Sequence, residues 1–336
     1  MCAILALAAS VRSAHAAELS AARLGVLYSL DDPASAEVAT LYAARRRVPS
    51  QNLVGLHLPR TDTISPADFA PTRARALEAL PSNVESLLLA WSKPYAVGCM
   101  SVTTAFAAGY RAAFCEPGCA RTAPNPLFDS EGWLPADTVG WWPAMLLPTD
   151  DRELARALIE RGIAADGSSP PGTVYLVRTT DATRNVRAAG YGDVELAVHP
   201  WLHVVELATP VTQEVPDAIA YFTGAARVAE LSRIHFRAGA VADHLTSTGG
   251  ILHGGDQTSV LAWLAQGATA SYGTVSEPCN DIGKFPRPRV FLEHYLRGET
   301  LLEAYWKSVA MPGQGLFVGE PLASPYTARH VTGLKQ

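Results

Sequence analysis

The chain has 336 residues, 27 Lys+Arg against 32 Asp+Glu, a formal net charge of -5, and 48% hydrophobic against 18% charged residues. That apolar content excludes intrinsic disorder as the main state, and the mildly acidic balance excludes a non-specific nucleic-acid binder. Beyond the start of the chain no apolar run reaches the ~18 residues of a membrane span.

Residues 2–11 (CAILALAASV) form a short apolar stretch, followed by Ala14-His15-Ala16-Ala17. An apolar core before an A-x-A site reads as a secretory signal peptide over 1–17, with the charged segment that normally precedes it missing. The mature chain would be periplasmic or secreted, without a transmembrane segment. Cleavage removes Cys2 and leaves Cys99, Cys115, Cys119 and Cys279. An even count in an exported chain points to disulfides, and sequence alone cannot choose among the three pairings. The short Cys115–Cys119 spacing around Pro117-Gly118 suits a bridged turn. No metal site and no cofactor is expected, because H-E-x-x-H, P-loop and G-x-G-x-x-G signatures are absent.

In chain order, 24–29 (LGVLYS) reads as a strand and Pro33 onward as a helix with Ala34, Val38, Leu41 and Tyr42 on one face. Arg45-Arg46-Arg47 reads as its solvated last turn, where cations suit the helix dipole. A strand at 53–58, a helix at 66–80 and a nearly all-apolar strand at 84–91 follow. This βαβαβ start implies a parallel sheet. Residues 95–148, rich in Cys, Pro and Trp, read as an irregular insertion in a single α/β domain spanning 18–336. Trp133, Trp141 and Trp142 there suit either a stacking surface or packing around a disulfide. The rhythm returns with a helix at 151–165 and strands at 173–179, 218–222 and 238–245, the last weakened by Gly239. A helix at 258–266, a strand at 268–275, helices at 290–297 and 301–308 and an extended tail at 316–326 complete the reading. The fold class is α/β, a mostly parallel central sheet with helices on both faces.

Ligands of parallel sheets bind beyond the carboxyl ends of the strands. The residues placed there include Asp31, Asp32, Ser92, Lys93, Asp181, Arg184, Asn185, Thr223, Gly224, Thr246, Ser247, Thr274, Glu277 and Cys279. The densest patch is Asp243–Gly250, continued by His253 and Asp256. A histidine near a carboxylate and a hydroxyl is the raw material of nucleophilic catalysis, and glycine pairs bring backbone N–H groups close to a ligand. Asp243 and His244 are adjacent on a strand and would face opposite sides. There is no G-x-S-x-G elbow. Trp91 reads as a core residue and, with Lys93, also stands at a strand end where a ligand would bind.

Longer phrases carry a resemblance. TVYLVRTTDATRNVRA (173–188), AGAVADHLTSTGG (238–250), GATASYGTVSEPCNDIGKFPRP (267–288) and GETLLEAYWKSVAMPGQGLFVGEPLASPY (298–326) look like an exported bacterial family of unknown function. The order of elements more distantly resembles the caspase-like fold of gingipain-type cysteine peptidases. In those peptidases a His-Gly follows one central strand and a catalytic Cys follows the next. The matching places here are Thr223-Gly224 and Asp243–Ser247, so the resemblance implies a scaffold whose Cys-His dyad is altered or lost.

Two functions follow as expectations. The first is an exported hydrolase with His244 as base, Ser247 as nucleophile, Asp181, Asp243 and Glu277 as carboxylates, and Gly249 and Gly250 as backbone donors. Arg184, Asn185, Trp91 and Lys93 would hold the ligand. The second is a non-catalytic exported module that binds a peptide, a glycan or a protein partner.

Overall fold

The long helices start where the sequence supplies a cap. Asp32 accepts from the Ala34 N–H ahead of α1 (Pro33–Arg46), with Pro33 at the first turn. Ser65 caps α2 (Pro66–Ala79), and Asp151 takes two first-turn N–H groups of α5 (Arg152–Ala165). Thr300 and Glu303 form a capping box on α9 (Leu301–Ser308). The computed structural model describes residues 19–115, 119–133, 136–209 and 211–326. The leader expected over 1–17, with Cys2, lies outside these.

The strands are β1 (Leu24–Ser29), β2 (Leu53–Leu56), β3 (Thr63–Ile64), β4 (Ser86–Ala90), β5 (Ala96–Val97), β6 (Met100–Ser101) and β7 (Ala144–Leu146). They continue with β8 (Thr173–Arg178), β9 (His203–Ala208), β10 (Val215–Gly224), β11 (Ile234–Leu245), β12 (Ala270–Thr274) and β13 (Gly315–Gly319). The remaining helices are α3 (Val102–Ala108), α4 (Ala136–Val139), α6 (Gly192–Val198), α7 (Val260–Gln266) and α8 (Pro288–Leu296). Ten strands make one sheet in the order β2-β1-β4-β7-β13-β12-β11-β10-β8-β9, while β3, β5 and β6 form a small separate sheet. The fold is thus α/β with a large, mostly parallel sheet flanked by helices.

β13 breaks the pattern, with five residue pairs antiparallel to β12. It touches β7 at a single bridge of parallel form, Val318 with Leu146. The ladder with β12 and the contacts at its ends set its direction. Gly315 accepts from Ser101 Oγ at 2.5 Å, beyond the carboxyl end of β4. Glu320, past its other end, meets Arg46 in the last turn of α1. α1, α5 and α7 pack together, as do α6, α8 and α9. Trp306 on α9 stacks on Phe317 with centroids 4.5 Å apart and donates to Ala144 O at 3.0 Å, joining α9, β13 and β7.

Several expectations change. The range 95–148 is not irregular throughout, because it holds α3 and the sheet strand β7. β9, which pairs along six residues with β8, had no sequence signal. The buried face of α1 is Val38, Ala39, Tyr42 and Ala43, and Leu41 lies at its margin. Gly239 does not end β11. Its φ of 83° and its contacts, Ala165 Cβ and Tyr295 Oη each 3.1 Å from a would-be Cβ, let the strand bulge there. Cys115 and Cys119 are not bridged to each other, since the disulfides are Cys99–Cys115 and Cys119–Cys279. Trp133 and Trp141 are buried, and Trp142 lies under Arg73 with the guanidinium 5.6 Å from the ring. Among the described residues no helix is long and apolar enough to cross a membrane.

Candidate functional site

The chain leaves β1 outward to β2 and returns inward to β4, so a topological switch point lies between β1 and β4. At such points the loops beyond the carboxyl ends diverge and open a crevice. Here that crevice is a cleft of about 350 Å³ lined by Ser29, Asp32, Arg60, Lys93, Asp150 and His253. Ser29 and Asp32 follow from β1, Arg60 from β2, Lys93 from β4 and Asp150 from β7. Ser92 Oγ ties two of these ends together by accepting from Thr149 N at 2.9 Å and Asp150 N at 3.1 Å.

His253 arrives on the loop after β11 and places Nε2 2.7 Å from Asp150 Oδ2. A carboxylate can only accept, so in the neutral imidazole Nε2 is the nitrogen that carries the proton and Nδ1 the one with the lone pair. The His253 side chain is 48% exposed, within reach of solvent and ligand. Lys93 Nζ stands 2.8 Å from Asp62 Oδ1, and Tyr95 Oη donates to Asp62 Oδ2 at 3.2 Å. The hydrogen bond from Lys93 holds the Asp62 carboxyl below the usual range, and the same bond raises the Lys93 ammonium above its own, so both keep their charges. The cleft therefore contains an oriented imidazole, a fixed ammonium and a guanidinium.

Of the residues singled out from sequence, Asp32, Lys93 and His253 line this cleft, and Ser92 ties two of its strand ends together. The others lie elsewhere. His244 is 1% exposed and faces α7, where its Nδ1 accepts from Trp263 Nε1 at 3.0 Å. Burial, helped by the Arg187 charge, pushes its pKa down to about 3 and keeps it neutral. Asp243 faces the other side of β11, 2.5 Å from Arg187 Nη1, and burial pushes its carboxyl up to about 6 despite that cation. Asp243 therefore does not orient His244. Ser247 is half-buried, and its carbonyl accepts from Thr274 Oγ1 at 2.8 Å. Gly250 N–H is already engaged with Thr274 O at 2.9 Å, and Gly249 O accepts from Val260 N at 2.8 Å. Trp91 is fully buried, with its indole N–H on Pro94 O.

Asp181, Arg184 and Asn185 gather beyond β8. Arg184 pairs with Asp181 at 2.8 Å and donates from Nε to Thr246 Oγ1 at 3.1 Å, while Asn185 Oδ1 accepts from Thr179 N at 3.1 Å. Beside them, at the second switch point between β8 and β10, a cleft of about 300 Å³ is lined by Val177, Thr179, Thr209, Val211, Tyr221 and Thr223 among others. Glu277 is exposed and accepts from Cys279 N at 2.8 Å, in the turn held by the Cys119–Cys279 disulfide.

Sequence reading missed Asp150, Arg60 and Asp62. Asp150 carried a signal, since it directly precedes the cap of α5 and follows the apolar 144–147. Reading 95–148 as irregular hid the strand that delivers it.

Compared with known protein families, curated proteins and solved structures, the chain matches none.

Proposed function

We propose that this chain is an exported hydrolase of a small ester- or amide-like substrate, working at the β1/β4 switch point with His253 as general base. The observation that carries this reading is the His253–Asp150 pair, 2.7 Å apart, on the wall of the cleft. Asp150 holds the tautomer and stabilises the imidazolium. Nδ1 takes a proton from water as its oxygen attacks the carbonyl carbon. The tetrahedral adduct then expels its alkoxide or amine, which recovers the proton from the imidazolium. Lys93 lies within the cleft to offset the developing oxyanion.

Water is the nucleophile in this scheme, and Cys99, Cys115, Cys119 and Cys279, all bonded in disulfides, have no thiolate to offer in its place. This fits a caspase-like scaffold that lost its Cys-His dyad, and the two disulfides fit export to an oxidising compartment. A second reading is a binding module, favoured by the threonine- and valine-lined cleft at the β8/β10 switch point.

Hydrolysis of p-nitrophenyl acetate by the full chain tests the first reading. His253 is half-exposed, so His253→Ala leaves the core intact, and its rate should fall about 10²-fold or more. A wild-type rate equal to that of the variant removes the hydrolase reading and leaves the binding one.

A further inference from the structure

The charges of the β1/β4 cleft are nearly all committed to one another. His253 faces Asp150, and Lys93 faces Asp62. Asp32 Oδ1 accepts from Ala34 N at 3.2 Å, at the positive end of α1. Arg60 differs. It is exposed on the loop after β2, lines the cleft, and has no ion pair among the described residues. Its planar fork of N–H groups matches a carboxylate or phosphate oxygen pair in a way that an ammonium does not.

Resting on the hydrolase reading above, we propose that the substrate carries an anionic group that seats on Arg60 while its scissile carbonyl faces His253. Arg60, from the loop after β2, and His253, from the loop after β11, both line one cleft of about 350 Å³, room for a substrate of a few carbons. Lys93, held on Asp62, is the cation set against the oxyanion in that reading, which leaves Arg60 for the anionic group. The site is then selective for charge at one end of the substrate and reactive at the other. A neutral ester fills the reactive end and forgoes the anchor.

Two esters with one leaving group separate these roles. p-Nitrophenyl hemisuccinate carries a carboxylate and p-nitrophenyl acetate does not. Wild-type kcat/KM should favour the hemisuccinate by at least about tenfold at low salt, the worth of one charge-assisted hydrogen-bonded pair. The preference should shrink in 0.5 M NaCl, as an exposed ion pair does. Arg60→Gln should bring the ratio of the two esters towards one, whereas Arg45→Gln, on the exposed pair with Glu160, should leave it unchanged. A ratio near one in the wild type, or one that Arg60→Gln leaves unchanged, overturns the anion seat while a His253-dependent rate keeps the hydrolase reading. Calorimetric titration with succinate needs no turnover. Binding that Arg60→Gln abolishes supports the seat even if no ester is hydrolysed, and equal binding by both chains overturns it.

Discussion

Asp243 and His244 are neighbours in the chain and strangers in the fold, one against Arg187 and the other against Trp263. Strand alternation made that separation legible in advance. That both faces would be dry was not legible: Asp243 and His244 are each 1% exposed. Arg46 shows the same limit. A run of three arginines reads as a solvated helix end, and Arg45 and Arg47 are indeed exposed. Arg46 instead reaches the fully buried Glu320 at 2.6 Å, which also accepts from Tyr42 Oη at 2.7 Å. The burial of His244 has a consequence for stability. Its folded pKa of about 3 lies below the unfolded value of 6.5, so the unfolded chain takes up the proton first. Stability present above pH 6.5 is lost as pH falls towards 3, at about 1.4 kcal/mol per unit. Asp243, raised from 3.8 to about 6, works in the opposite sense between those two values, which is most of that window. Urea unfolding at pH 7, 5.5 and 4 should show a shallower acid loss in His244→Gln, whose amide oxygen can still accept from Trp263. Parallel losses in both chains would assign the slope to other groups.

The Gly249-Gly250 pair carries its meaning at the level of the element. From sequence it suggested backbone donors for a ligand. In the fold it lets the loop after β11 cross against β12. A Cβ on Gly250 would lie 2.5 Å from Gly273 O, and one on Gly273 would lie 2.5 Å from Gly249 C and Gly250 N. Backbone atoms cannot yield as a flexible side chain can. Gly273→Ala should therefore destabilise the protein by about 1–3 kcal/mol, as overpacking does. Gly190→Ala, where nothing lies within 4 Å, is the control. Thermal unfolding of the two variants checks this, and equal melting temperatures would refute the close crossing. The same crossing delivers His253 to Asp150, so a packing constraint on two glycines positions the candidate base. The strands the sequence concealed were short or weakly patterned. β7 is only Ala144-Met145-Leu146, inside a stretch dominated by Pro, Trp and Cys. β9 has a mixed burial pattern along its six residues and no alternation to announce it.

Across the whole molecule, two disulfides staple the range 95–148. Cys99–Cys115 closes a separation of 16 residues within it, and Cys119–Cys279 ties it to the turn beyond β12 across 160 residues. In the chain-entropy picture the first restrains the unfolded chain by about 3 kcal/mol and the second by about 5 kcal/mol. The Cys119→Ser/Cys279→Ser double variant should therefore melt lower than Cys99→Ser/Cys115→Ser. The reverse order would mean that local geometry outweighs loop length. The sequence by itself determined the α/β class, the strands with long apolar runs, the helices with caps, and the presence of residues able to do acid–base work at strand ends. Those are local properties, set by periodicity, capping and turn chemistry. Tertiary structure alone decided the disulfide pairing, the central place of β13 against β12, the burial of Arg46 and His244, and the meeting of His253 with Asp150. Each of these joins residues tens to hundreds of positions apart. Such pairs are selected by how the sheet is ordered and covered, and no local pattern in the chain encodes that order.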